Sequence, residues 1–183
     1  MTMSAPDFLT KLNTAPRADA LAMIAPLVER SEWVADAAID QRPFASDGDV
    51  AAALVEAILT SPAARRIAMF RAHPELAGRE AIEGLMTVES MGEQGRLGLM
   101  SLETESHAYL SQLNATYKAR FGYPFIIALH RVPDLETLLF IFETRLAADP
   151  VEEHVTTLGE IASVIRARAS RAFTTAPINI PTI

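Results

Sequence analysis

Apolar residues recur along most of this chain at helical spacing. Over 17–30, Leu21, Ile24, Ala25 and Val28 fall at i, i+3, i+4 and i+7, which predicts an amphipathic helix. Ser4 ahead of Pro6 and Asp7 predicts an earlier helix start. The run Gln41-Arg42-Pro43-Phe44-Ala45-Ser46-Asp47-Gly48 reads as a loop, and Asp47 or Asp49 then caps a helix through Leu59. Ser61-Pro62 opens another helix, with Ser at the cap and Pro at the first position. That helix must stop before Pro74, because the residue ahead of a proline avoids the α region. Residues 78–84 read as irregular. Thr87 or Ser90 opens a long helix towards Arg120, closed by Gly122 and Pro124.

Asp134 begins a helix containing Leu135, Leu138, Leu139, Phe140, Ile141 and Phe142, apolar nearly all round, which predicts a central position. Asp149-Pro150 punctuates, and a last helix covers 151–173. Only 125–129 resembles a strand, and one strand has nothing to pair with. The reading is all-α: a single compact multi-helix domain over 1–173, then an extended tail over 174–183.

Composition narrows the classes of function. With 50% hydrophobic and 21% charged residues in 183, the chain is globular and can bury a core. Its net charge of −7 weighs against a grip on nucleic-acid phosphates or anionic lipid. The absence of cysteine excludes disulfides, thiolate metal sites, iron–sulfur clusters and a thiol nucleophile. The longest apolar runs, 124–129 and 138–142, fall far short of the ~20 residues of a membrane helix. Charges within the first 30 residues do not suit a signal peptide, and the chain ends in Pro-Thr-Ile rather than a peroxisomal address. The expectation is a cytoplasmic protein with neither membrane nor nucleic acid as partner.

Four groups of residues could carry chemistry. His73, in Ala72-His73-Pro74-Glu75-Leu76-Ala77-Gly78, is held in extended backbone by Pro74 at a helix end, and its ring titrates near neutrality. It could equally serve as a cation at a helix C-terminus. Ser90, Glu93, Gln94 and Leu97 fall at i, i+3, i+4 and i+7, so a hydroxyl, a carboxylate and an amide share one helix face. The alternative there is a capping box, with Ser90 as cap and Glu93 at its third position. Arg168 lies within the apolar stripe of Leu158, Ile161, Ile165 and Ala172, whereas Arg166 points the other way. Its partner is either an internal carboxylate or an anionic substrate. Phe125, Ile126 and Ile127 follow a forced turn at Gly122 and Pro124, where backbone amides without helix partners can bind a polar ligand, or where a core segment simply begins. His107 and His154, among acidic neighbours, read as parts of solvated helix faces, with a zinc site of His and carboxylate ligands as the alternative. No His-Glu-x-x-His pair occurs, and no metal site is expected.

Taken together, His73-Pro74-Glu75-Leu76, Ser90-x-x-Glu93-Gln94 with Leu97-Gly98-Leu99, Asn114-x-x-Tyr117 leading into Phe121-Gly122-Tyr123-Pro124-Phe125, and the Glu160-Ile161 helix with Arg168 resemble one family. It is the 2-oxo-4-hydroxy-4-carboxy-5-ureidoimidazoline (OHCU) decarboxylases of urate breakdown. The resemblance spans about 9–171. It implies an all-α fold, a homodimer, and cofactor-free conversion of OHCU to (S)-allantoin. Carried over residue by residue, it implies His73 and Glu93 as catalytic groups. Pro74, Ser90, Gln94, Arg168 and the backbone of Phe125, Ile126 and Ile127 are implied as substrate-binding.

Two other classes stand beside this one. A noncatalytic ureide- or purine-binding protein on the same fold would bind without turnover, and has no need of a general acid such as His73 or Glu93. A helical interaction domain would dock through the apolar tail over 177–183.

Overall fold

A computed structural model describes residues 5–174. Among them are ten α-helices and no strand: α1 (Ala5–Thr14), α2 (Arg17–Ile24), α3 (Glu32–Ile39), α4 (Asp47–Leu59), α5 (Ala63–Ala72), α6 (Arg79–Ile82), α7 (Val88–Arg96), α8 (Thr104–Phe121), α9 (Leu135–Leu146) and α10 (Pro150–Thr174). The all-α reading is met. Thr174 closes α10, while the rest of the expected tail and the cap expected at Ser4 lie outside the described residues. Among the described residues no helix is long and apolar enough to cross a membrane.

The chain divides into two compact units, Met1–Ser61 with Ile165–Ile183, and Pro62–Val164. In the first, Leu12, Ile24, Val34, Ile39, Leu54 and Ile165 are fully or almost fully buried. The rings of Phe8 and Phe173 meet edge to face at 4.6 Å. The helix expected over 17–30 is shorter than its periodicity suggests. It ends at Ile24, and Ala25–Leu27 tightens to a 3-10 turn around Pro26, which has no N–H to continue the ladder. Ser46, not Asp47 or Asp49, caps α4, accepting the Asp49 N–H at 3.1 Å.

The second unit is built on aromatic rings. Tyr117 lies 5.2 Å from Phe125 and 5.7 Å from Phe142, and Phe125 stacks on Phe142 at 3.8 Å. Asp134 caps α9 through the Thr137 N–H at 2.8 Å, a bond that holds its carboxyl below the usual carboxylate range. Helix α9 is not central, however: Leu138 and Phe142 are buried, but Phe140 is 70% exposed. Its apolar residues thus outnumber the positions its packing covers. The long helix expected from Thr87 towards Arg120 is two helices. Gly98, at φ 65°, takes the left-handed conformation that ends α7, and a 3-10 turn over Leu99–Ser101 precedes α8.

Candidate active site

Pro74 shapes the first element of the site. Helix α5 ends at Ala72, and His73 is extended at φ −69° and ψ 141°, as a following proline demands. The ring turns back so that Nδ1 lies 2.9 Å from the Met69 carbonyl oxygen. A carbonyl only accepts, so Nδ1 carries the hydrogen, and Nε2 is the atom able to gain or lose a proton.

The backbone after His73 is held by two side-chain amides. Gln94 Oε1 accepts the Ala77 N–H at 2.9 Å, and its Nε2 donates to the Glu75 carbonyl at 3.3 Å and lies 3.2 Å from Met86 Sδ. Asn114 Nδ2 donates to the Leu76 carbonyl at 2.8 Å. Three consecutive residues are thereby tied to α7 and α8, which steadies a turn that carries Ala77 at φ 48°. Gly78 must be glycine, because a Cβ there would sit 2.8 Å from that of Glu75. Lys118 adds an ion pair to Glu75 at 2.8 Å.

Helix α7 supplies the polar face. Thr87 is its cap and accepts the Ser90 N–H at 3.3 Å, so Ser90 lies inside the helix and the capping box at Ser90–Glu93 does not form. Ser90 and Gln94 are buried and Glu93 is half-buried. Of these three, Gln94 is the one that the structure ties to the loop after His73, through Ala77 and Glu75. Arg96 at the end of α7 donates to the carbonyls of Leu129 and Val132, tying α7 to the turn after the 125–127 segment.

Gly122, at φ 79°, stops α8, and Phe125, Ile126 and Ile127 are buried outside any helix. The Ile126 carbonyl accepts from Arg145 Nη1 at 2.8 Å, and the Ala128 N–H donates to Glu160 Oε2 at 2.7 Å. Among the described residues, the N–H groups of Phe125, Ile126 and Ile127 make no hydrogen bond.

A cluster that the pattern of residues did not reveal lies behind this segment. Glu153, expected in a solvated charged stretch, is fully buried. It accepts from Arg145 Nε at 3.0 Å, from Arg145 Nη2 and from Tyr117 Oη. Burial first, and then the Glu153 carboxylate, push the Tyr117 hydroxyl far above the usual tyrosine range. The signal was present as two stripes: Leu138, Phe142 and Arg145 on α9, and Glu153, Thr157 and Ile161 on α10, each with one charge among core positions.

In the other unit, Arg168 is 4% exposed, and its Nη1 and Nη2 donate to Glu29 Oε2 at 3.2 and 3.3 Å. Its core-facing position and the outward Arg166 agree with the periodicity, and its partner here is an internal carboxylate. His107 and His154 depart from a solvated reading. His154 is half-buried with its ring 5.0 Å from that of Phe70, and burial, then Arg66, lower its pKa. His107 Nε2 is buried with no hydrogen-bond partner among the described residues.

Comparison with known proteins bears on most of the chain. The family model described as OHCU decarboxylase matches residues 13–170. The 2-oxo-4-hydroxy-4-carboxy-5-ureidoimidazoline decarboxylase of Amia calva is 38% identical over 142 residues, 78% of this chain and 81% of that protein. That of Mus musculus is 34% identical over 160 residues, 87% of this chain and 89% of that protein. Among solved structures, (S)-allantoin synthase matches at a TM-score of 0.70 with 21% identity, over 93% of this chain and 54% of that one, so this chain spans about half its length. An OHCU decarboxylase in the presence of (S)-allantoin matches at 0.64 with 16% identity, over 82% of this chain and 97% of that one. These two share the fold, and the family match and the 38% and 34% identities settle membership: the chain belongs to the OHCU decarboxylase family.

Proposed function

We propose that this protein is a carboxy-lyase that converts OHCU to (S)-allantoin without a cofactor. The substrate carbon that loses CO2 also bears a hydroxyl and adjoins a C=N bond. As the carboxylate leaves, its electron pair forms a ring C–C double bond, and the C=N pair passes to nitrogen, which takes up a proton. Loss of the hydroxyl proton then makes the carbonyl while the neighbouring ring carbon gains a proton on one face. The substrate is its own electron sink, so the protein's part is orientation, hydrogen bonding and proton delivery.

His73 Nε2 and Glu93 handle the hydroxyl proton and the proton delivered to carbon. Pro74 and the N–H groups of Phe125, Ile126 and Ile127 hold the ring. Ser90 and Gln94 bind ring and ureido polar atoms. For Gln94 that means exchanging the longer Nε2 contacts, to Glu75 and Met86, for substrate. For the substrate's carboxylate, Arg168 is the proposed partner, supported by the family pattern in the Glu160-Ile161 helix. The observation that carries the reading is the His73 geometry: Nδ1 is committed to the Met69 carbonyl, and the loop that follows His73 is held by Gln94.

We assign the protein to the cytoplasm as a homodimer. Its cysteine-free composition suits the first, and the exposed Phe140, Val151 and Val155 offer apolar surface of the kind a dimer covers. Following OHCU consumption by ultraviolet absorbance tests the activity. Decay accelerated in proportion to protein supports it. Saturable binding with an unchanged decay rate would favour the noncatalytic binding protein instead.

A further inference from the structure

Arg145 is the most heavily bonded side chain near the 125–127 segment, and the reaction as described leaves it idle. Its planar guanidinium is used on three sides. Nε and Nη2 face Glu153, Nη1 donates to the Ile126 carbonyl at 2.8 Å, and the face of the group lies 4.4 Å from the centroid of the Phe125 ring. A buried ion pair gains little stability over well-packed apolar side chains, because both charges lose their water. Its geometry therefore invites a use beyond stability.

The peptide plane supplies that use. The Ile126–Ile127 bond is trans, so its C=O and N–H point in opposite directions. Fixing the Ile126 carbonyl on Arg145 turns the Ile127 N–H away from Arg145. The next donor, the Ala128 N–H, is taken by Glu160 at 2.7 Å. Ile127 is thus left with an aimed amide that has no partner among the described residues.

We infer that Arg145, charge-balanced by Glu153, is a positioning residue that aims the Ile127 N–H at the substrate by clamping the Ile126 carbonyl and the Phe125 ring. This rests on the proposed decarboxylase reading, in which that amide binds the ring. A lysine at 145 could meet Glu153 but has no fork to reach the carbonyl and cover the ring at once.

The test is steady-state kinetics of the full chain on OHCU generated in place from urate, with thermal unfolding in parallel. Arg145→Lys raises KM on the order of ten- to hundredfold, the scale of a misplaced binding group, with a much smaller change in kcat. Tyr117→Phe removes a hydroxyl from the same Glu153 but leaves the Ile126 clamp, so it lowers the unfolding temperature and leaves KM unchanged. Should Arg145→Lys fail to fold, the double variant Arg145→Met, Glu153→Leu removes both charges together and must show the same rise in KM. Wild-type KM in the folded Arg145 variants overturns the inference. So does an equal rise in Tyr117→Phe, which would make the effect a general loosening. Absence of turnover in the wild type, seen before any variant is compared, overturns the decarboxylase reading and this inference with it.

Discussion

His73 Nδ1 donates to the carbonyl oxygen of Met69, four residues earlier, at 2.9 Å. This bond sets the tautomer, orients the ring and reserves Nε2 for proton exchange. His73→Asn leaves a side-chain donor near that carbonyl but cannot exchange a proton. It is expected to lower kcat by roughly 10²- to 10⁴-fold, the usual worth of a positioned acid–base group, without loss of helical circular dichroism.

Gln94 holds the loop after His73 through the Ala77 N–H. Gln94→Leu leaves that buried donor unpaired and should cost about 1–3 kcal/mol in a denaturant titration. Turnover should fall as well, because the same loop carries His73. A variant of wild-type stability would show that the amide does not hold the loop.

Arg168 and Glu29 form a buried pair, 4% and 5% exposed. Arg168→Met removes both donors that Arg168 gives the buried Glu29 carboxylate, leaving Arg30 Nε 3.9 Å from it, and is expected to destabilise the protein by about 3–5 kcal/mol. Adding Glu29→Leu should restore most of that loss. If Arg168 also binds the substrate's carboxylate, the stabilised double variant still shows a raised KM, and a wild-type KM there would remove Arg168 from the site.

His154 has its pKa lowered by burial and then by Arg66, so the folded state favours the neutral ring. Between the folded pKa and the unfolded value of about 6.5, the unfolded chain binds more protons. Stability is therefore full above about pH 6.5 and is lost as pH falls through the folded pKa. Thermal unfolding across pH 5–8 should show a steeper acid loss in the wild type than in His154→Leu; equal slopes would contradict this.

Features governed by local chemistry were legible in the sequence. Pro74 required an extended His73, Asp134 capped α9, and Arg168 faced inward while Arg166 faced out. The motifs around His73 and Ser90-Glu93-Gln94 marked two elements that do pack together. What depended on distant partners was not legible. Glu153 beside Glu152 looks like a charged surface until Arg145 and Tyr117 are brought to it. The Gln94 amide meets backbone groups of residues 17 and 19 positions away, which no helical spacing encodes. Phe140 looked like core because hydrophobicity does not say which face has a neighbour. The break at Gly98 and the early end of α2 at Pro26 were written in residues that interrupt helices, but the longer periodic pattern outweighed them.

The most direct measurement is circular dichroism of allantoin formed from urate by urate oxidase and hydroxyisourate hydrolase, with and without this protein. The account predicts rapid formation of optically active (S)-allantoin only when the protein is present, at the same rate in EDTA, and its loss in His73→Asn. Slow, racemic allantoin that the protein does not alter would contradict it.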